Sequence, residues 1–231
     1  MNHALRCISL VVLVSTAALP AMARHHGHGH QGHPTGQAGG GSHDVAGQFD
    51  YYVMSLSWSP TYCLTHPSDT AQCGGKGFGF VLHGLWPQYA RGGYPQDCAT
   101  PEHLTPEAIA EGQQVFPSAN LISHEWGKHG TCSGMSALDY FKTADKAHAS
   151  VHVPASMDAP THTLQMTAQD IASAVVQANP GMPATALAVV CSGPELSEVR
   201  VCLSKSLQAQ ACGAGVKGNC RPGPIRVPAV H

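Results

Sequence analysis

Two short stretches of this chain concentrate side chains able to move protons. The first, Phe80-Val81-Leu82-His83-Gly84-Leu85-Trp86-Pro87, sets a histidine inside an apolar run, next to a glycine. The second, His124-Glu125-Trp126-Gly127-Lys128-His129-Gly130-Thr131-Cys132, holds four titratable residues within six positions. On a helix advancing ~100° per residue, Glu125, Lys128 and His129 share one face, and His124 stands one turn before Lys128. Histidine titrates near neutral pH, so two of them can divide acid and base work. Lys128 supplies a fixed cation for developing negative charge, and Glu125 can orient a histidine or hold it protonated. Taken alone, His83 also fits a hydrogen-bonded structural residue of a strand, and Trp126 reads as core. The second stretch opens like the zinc motif H-E-x-x-H, but its second histidine comes one place late. On a straight helix His124 and His129 then point ~140° apart, which does not suit a zinc ion.

The elements that position these groups follow from local pattern. Residues 50–58, aromatic and β-branched, read as a strand ended by Ser59-Pro60. Cys63 and Cys73 bracket a polar loop, residues 77–85 form a second apolar strand stopped by Pro87, and residues 91–95 form a Gly/Pro loop. Thr105 caps a helix opening at Pro106. Residues 122–130 form a short helix, and Ser136-x-x-Asp139 and Thr167-x-x-Asp170 announce two more. Residues 186–191 and 198–203 read as strands, and the chain after Cys212 reads as irregular. Strands and helices mix without βα alternation. The expected fold is therefore one α+β domain over residues 49–231, a central antiparallel sheet flanked by several helices.

Composition narrows the function. With 43% apolar and 11% charged residues in 231, the chain suits a folded domain, and its net charge of −2 excludes a broad basic field. Residues 1–23 read as an export signal: Arg6, then an apolar run over residues 8–19, then Ala21-Met22-Ala23. Cys7 precedes the apolar run, too early for a lipoprotein anchor. The remaining eight of nine cysteines suit four disulfides in an oxidising compartment, with about 105 pairings open. Residues 24–48 form a Gly-rich stretch with six histidines, His25, His26, His28, His30, His33 and His43. It has little to bury and is expected to be a disordered spacer. Its histidines also permit an alternative, a periplasmic metal-binding protein working through this tail.

Together the two proton-moving stretches resemble the paired active-site motifs of the acid, base-nonspecific ribonucleases of the T2 family. His83-Gly84-Leu85-Trp86-Pro87 is similar to the first motif, and His124-Glu125-Trp126-x-Lys128-His129-Gly130-Thr131-Cys132 to the second, in the same order and at a similar separation. The similarity runs from Phe49 to about Cys220. The resemblance implies an endoribonuclease that cuts single-stranded RNA, not DNA, through the ribose 2′-hydroxyl. It implies 2′,3′-cyclic phosphate ends and then 3′-phosphates, with low base specificity and neither metal nor cofactor. His129 would be the general base and His83 the general acid. Glu125 and Lys128 would stabilise the transition state, and His124 would hold the phosphate. Trp86 and Tyr94 would line a base pocket. Gln88 stands where some relatives carry an acidic residue that helps select a base, so their preference does not carry over. The pairing implied is Cys63–Cys73, Cys98–Cys132, Cys191–Cys220 and Cys202–Cys212. The implied state is a monomer, periplasmic or secreted, free of the membrane once the signal is removed.

Overall fold

A computed structural model describes residues 44–231. The export signal expected at residues 1–23 and the six tail histidines up to His43 lie outside the described residues.

The sheet forms around β1 (Tyr51–Trp58), buried along nearly its whole length. Alternation divides its side chains between two faces. Tyr52, Met54, Leu56 and Trp58 enter the main core, whereas Tyr51 and Val53 join Cys202 in a smaller apolar cluster. The other strands are β2 (Phe80–Gln88), β3 (Leu164–Thr167), β4 (Leu187–Ser192), β5 (Glu195–Leu203) and β6 (Pro224–Val227). The order is β2-β1-β5-β6-β3, with β4 on β5. Every pairing is antiparallel except the single β5–β6 contact, Glu195 with Arg226. The expected α+β domain with a central antiparallel sheet is therefore the fold observed, apart from that one parallel contact.

Among the described residues, five α-helices accompany the sheet: α1 (Ser59–Thr65), α2 (Pro106–Gly112), α3 (Ala119–Lys128), α4 (Ala137–Ala149) and α5 (Ala168–Ala178). Four of them begin on a hydroxyl that accepts from a first-turn amide, namely Thr105, Ser118, Ser136 and Thr167. Each such cap contributes about 1 kcal/mol. Thr167 and Asp170 cap each other's backbone in a full capping box. From α4, Tyr140 and Phe141 enter the core fully buried, and the Tyr140 hydroxyl donates to the Leu85 carbonyl at 2.9 Å. That bond ties the helical layer to β2.

Several local expectations change. Ser59-Pro60 starts helix α1, because a proline in the first turn lacks only an amide that would be unpaired anyway. β2 starts at Phe80 and continues through Pro87, since β2 is an edge strand, where proline is tolerated. Capped by Ser118, α3 starts at Ala119, three residues before the expected 122, and ends at Lys128 rather than 130. β3 and β6, which pair with each other, are four residues each and too short for a sequence pattern. Packing also begins before Phe49: Gly47 N–H donates to Cys132 O at 2.9 Å, and Tyr89 hydroxyl donates to Asp44 at 3.2 Å.

The structure pairs Cys63 with Cys73, Cys98 with Cys132, Cys191 with Cys220, and Cys202 with Cys212. Among the described residues, no helix is long and apolar enough to cross a membrane.

Candidate active site

His83 lies on β2 at a bulge. Ser55 of β1 pairs with Gly84 and Leu56 with Leu82, so His83 is the extra residue with no partner. A bulge re-aims the side chains on either side of it. Here Leu82 and Leu85 both enter the core, while His83 and Trp86 both line a cleft of about 400 Å³. Simple alternation would have sent Leu82 and Leu85 to opposite faces.

The opposite wall is the end of α3. His124, Glu125 and Lys128 occupy its last turns, and His129 is the residue after it, its N–H bonded to Glu125 O at 3.0 Å. The chain then turns sharply: a Cβ on Gly130 would run into the Trp126 and Tyr140 rings. Cys132, held by Cys98, anchors the short 3₁₀ segment Gly130–Ser133, and Asp97 N–H donates to the Lys128 carbonyl at 2.9 Å. Trp126 is buried in the main core, as its position between the polar residues suggested.

All seven residues singled out for chemistry or binding border this one cleft: His83, Trp86, Tyr94, His124, Glu125, Lys128 and His129. Trp86 stands between the two histidines, its ring centroid 5.2 Å from His83 and 5.4 Å from His129. Tyr94 lies 5.7 Å from His129 and is 43% exposed, so its ring is open to a ligand. Gln88 is also in the wall. The Trp86 indole N–H donates to Glu125 Oε2 at 2.8 Å. That bond passes over Gly84, where a Cβ would overlap both of its atoms. Glycine at 84 is thus a steric requirement of the site.

Two site residues were missed. Glu198 Oε1 lies 2.9 Å from His83 Nδ1, and Glu198 Oε2 accepts from Arg200 Nε at 2.8 Å and faces its Nη2 at 2.7 Å. The Arg200 guanidinium sits 5.3 Å from the Trp86 ring centroid. Both residues come from β5. Alternation places them on the same face as Cys202, and two charges at i, i+2 in a central strand was the available signal.

The electrostatics separate the two histidines. Burial pushes His129 down, Lys128, His124 and His83 push it further, and its pKa falls to about 3. Burial pushes His83 down as well. There the hydrogen bond and charge of Glu198, with the charge of Glu125, outweigh it and hold His83 above its ordinary value. Burial raises Glu125 to about 7, against the pull of His83, Trp86 and Lys128. Burial would raise Glu198 too, but His83 and Arg200 bring it down to about 2. Glu125 Oε1 and His129 Nδ1 are buried without a hydrogen-bond partner.

On its other side the His83–Glu198 pair borders a larger cavity of about 860 Å³, walled also by Ser57, Tyr62, His66, Ser118 and Asn120. Among the described residues, no three His, Cys, Asp or Glu side chains are grouped to hold a metal ion.

An α+β domain with four disulfides and a histidine-bearing cleft at the sheet edge is the class so defined. Residues 49–212 match the Ribonuclease T2 family, and the chain belongs to that family. It is 54% identical over 99 residues to a ribonuclease of Aeromonas hydrophila, an alignment covering 43% of this chain and 45% of that protein. The chain thus spans under half the length of that relative. It is 29% identical over 196 residues to ribonuclease DdI of Dictyostelium discoideum, covering 74% of this chain and 85% of that one. An RNase-related protein from Calystegia sepium shares the fold, with a TM-score of 0.64 at 24% identity over 79% of this chain and 98% of that chain. RNase NT in complex with 5′-AMP shares it with a TM-score of 0.58 at 23% identity, over 78% and 98%.

Proposed function

We propose that this protein is an endoribonuclease that cuts single-stranded RNA by transphosphorylation, without a metal ion. The observation that carries the reading is the convergence of His83 and His129 on one cleft, either side of Trp86, with Lys128 and Glu125 beside them.

His129, kept neutral by burial, takes the proton of the ribose 2′-hydroxyl. The 2′-oxygen bonds to phosphorus, the bond from phosphorus to the 5′-oxygen breaks, and His83 gives that oxygen its proton. The products are a 2′,3′-cyclic phosphate and a 5′-hydroxyl. In the slower hydrolysis the roles reverse: His83 takes a proton from water and His129 returns one to the 2′-oxygen, leaving a 3′-phosphate. Substrate phosphate raises the basicity of His129, since a nearby anion favours the imidazolium. Lys128 meets the charge gathering on the nonbridging oxygens. Glu125, neutral in mild acid, carries its proton on the unpartnered Oε1 and donates to the same oxygens. His124 helps hold the phosphate. DNA lacks the attacking hydroxyl and is not cut.

Trp86 and Tyr94 stack one base, worth roughly 1–3 kcal/mol and tolerant of base identity. The larger cavity beyond His83 takes the nucleoside on the leaving-group side. RNase NT, which shares the fold, is in complex with 5′-AMP, and this supports a nucleotide ligand for this chain. Four disulfides and the apolar N-terminal run support export, with residues 1–23 removed and the mature monomer periplasmic or secreted.

RNA and DNA digestions in excess chelator from pH 4 to 9, with end-group analysis, test the reading. The expected result is RNA cleavage alone, bell-shaped in pH, with cyclic phosphate ends. Inactivity in chelator, or 5′-phosphate ends, would remove it.

A further inference from the structure

We infer that Glu198, braced by Arg200, is the positioning residue that makes His83 rather than His129 the acid of the pair. The inference rests on the nuclease reading above. It places the division of labour in β5, outside both active-site motifs.

Contact between β2 and β5 is not automatic, because β1 lies between them. Two strand spacings are about 9.6 Å, further than most side chains span at right angles to the strands. β1 makes the crossing possible with two serines. Ser57 pairs with Val81 on one side and Glu198 on the other, and Ser55 with Gly84 and Arg200. Over these short side chains Glu198 meets His83, whose re-aiming by the bulge completes the approach.

Glu198 is fixed at both ends. One oxygen faces His83 Nδ1 and the other accepts from Arg200, and its side chain is 11% exposed. With Nδ1–H committed to the carboxylate, Nε2 is the ring atom left for the substrate. The same bond favours the imidazolium. The charged and titratable groups facing His83 are Glu198 and Arg200 from β5 and Glu125 and His129 from the end of α3. Glu125 does not perform the orienting task, because its bonded oxygen serves the Trp86 indole. His129 has no counterpart to Glu198. Its Nδ1 is without a partner and its charged neighbours are Lys128, His124 and His83. One histidine therefore starts charged and aligned, and the other starts neutral.

Glu198→Gln tests this, because glutamine can still accept from Nδ1–H but carries no charge. Two readouts apply: kcat and KM for RNA from pH 4 to 9, and the titration of the His83 ring by NMR. The alkaline limb of kcat/KM is expected to move down by about 1 pH unit or more, the scale for losing an adjacent opposite charge. The His83 titration moves with it, while the acid limb and KM at the optimum stay in place. Glu198→Ala, which also loses the bond, lowers kcat across the whole range. If Glu198→Gln does not fold, Glu198→Asp retreats the charge without removing it, and the same limb moves by a smaller amount. Coincident alkaline limbs and coincident His83 titrations in wild type and variant would overturn the inference while leaving the nuclease reading intact. Wild-type protein inert toward RNA would end the nuclease reading instead, and the His83 titration would still decide whether Glu198 holds the ring charged.

Discussion

Replacing Gly84 with alanine adds one methyl group at the point where the Trp86–Glu125 hydrogen bond crosses β2. An ideal Cβ there overlaps both Glu125 Oε2 and Trp86 Nε1, so the bond and the methyl cannot coexist unless the backbone moves. Overpacking a close-packed site costs roughly 1–3 kcal/mol. Losing the bond leaves a buried donor and acceptor without partners, which costs about 1–3 kcal/mol. Relaxation that relieves one loss relieves part of the other, so the two do not simply add, and about 2–4 kcal/mol is expected. Both side chains line the cleft, so turnover falls along with stability. The matched control is Gly127→Ala on α3, where an added Cβ meets nothing within 4 Å. That exchange is expected to stabilise by up to about 1 kcal/mol, as alanine replaces glycine in a helix. Urea unfolding at pH 6 and initial rates on RNA read both variants. If Gly84→Ala unfolds at the wild-type midpoint and cleaves at the wild-type rate, the steric account of Gly84 is refuted.

His83→Ala and His129→Ala should each lower kcat by at least about 10²-fold, the scale for removing a general acid or base. A near-normal rate in either, measured in chelator, removes that histidine from the chemistry. Glu125 gives a stability prediction. Its folded pKa of about 7 stands above its ordinary 4.5. The stability it contributes is therefore fully present below about pH 4.5 and lost as pH rises through 7. Glu125→Gln should raise the urea midpoint relative to wild type more at pH 8 than at pH 4, and equal differences at both would contradict the buried carboxyl. Salt dependence is expected to be shallow, because the net charge is −2 and the cations at the cleft are Lys128, Arg200 and a protonated His83. At ~0.7 per phosphate on a single strand, the slope of log K against log salt is about −2. A slope beyond about −5 in filter-binding titrations would mean a basic track elsewhere.

The residues with chemical potential were legible because each motif is local. His83-Gly84-Leu85-Trp86-Pro87 and the run from His124 to Cys132 each place their groups by strand or helix geometry. Three helix starts were legible as well, since Thr105, Ser136 and Thr167 act on amides within three residues. Helix α1 was masked by reading Ser59-Pro60 only as a stop, and β3 and β6 are shorter than one clear alternation. Sequence by itself therefore determined the α+β class, the polar groups of both motifs and the starts of three helices, all products of interactions spanning a few residues. The tertiary structure alone decided that His83 sits on a bulge, that Gly84 must be bare beneath a tryptophan–carboxyl bond, and that Glu198 reaches His83 across the serines of β1. Those contacts join residues up to 115 positions apart. Periods of 2 and 3.6 say which face a side chain takes, while strand order and register say what it meets there.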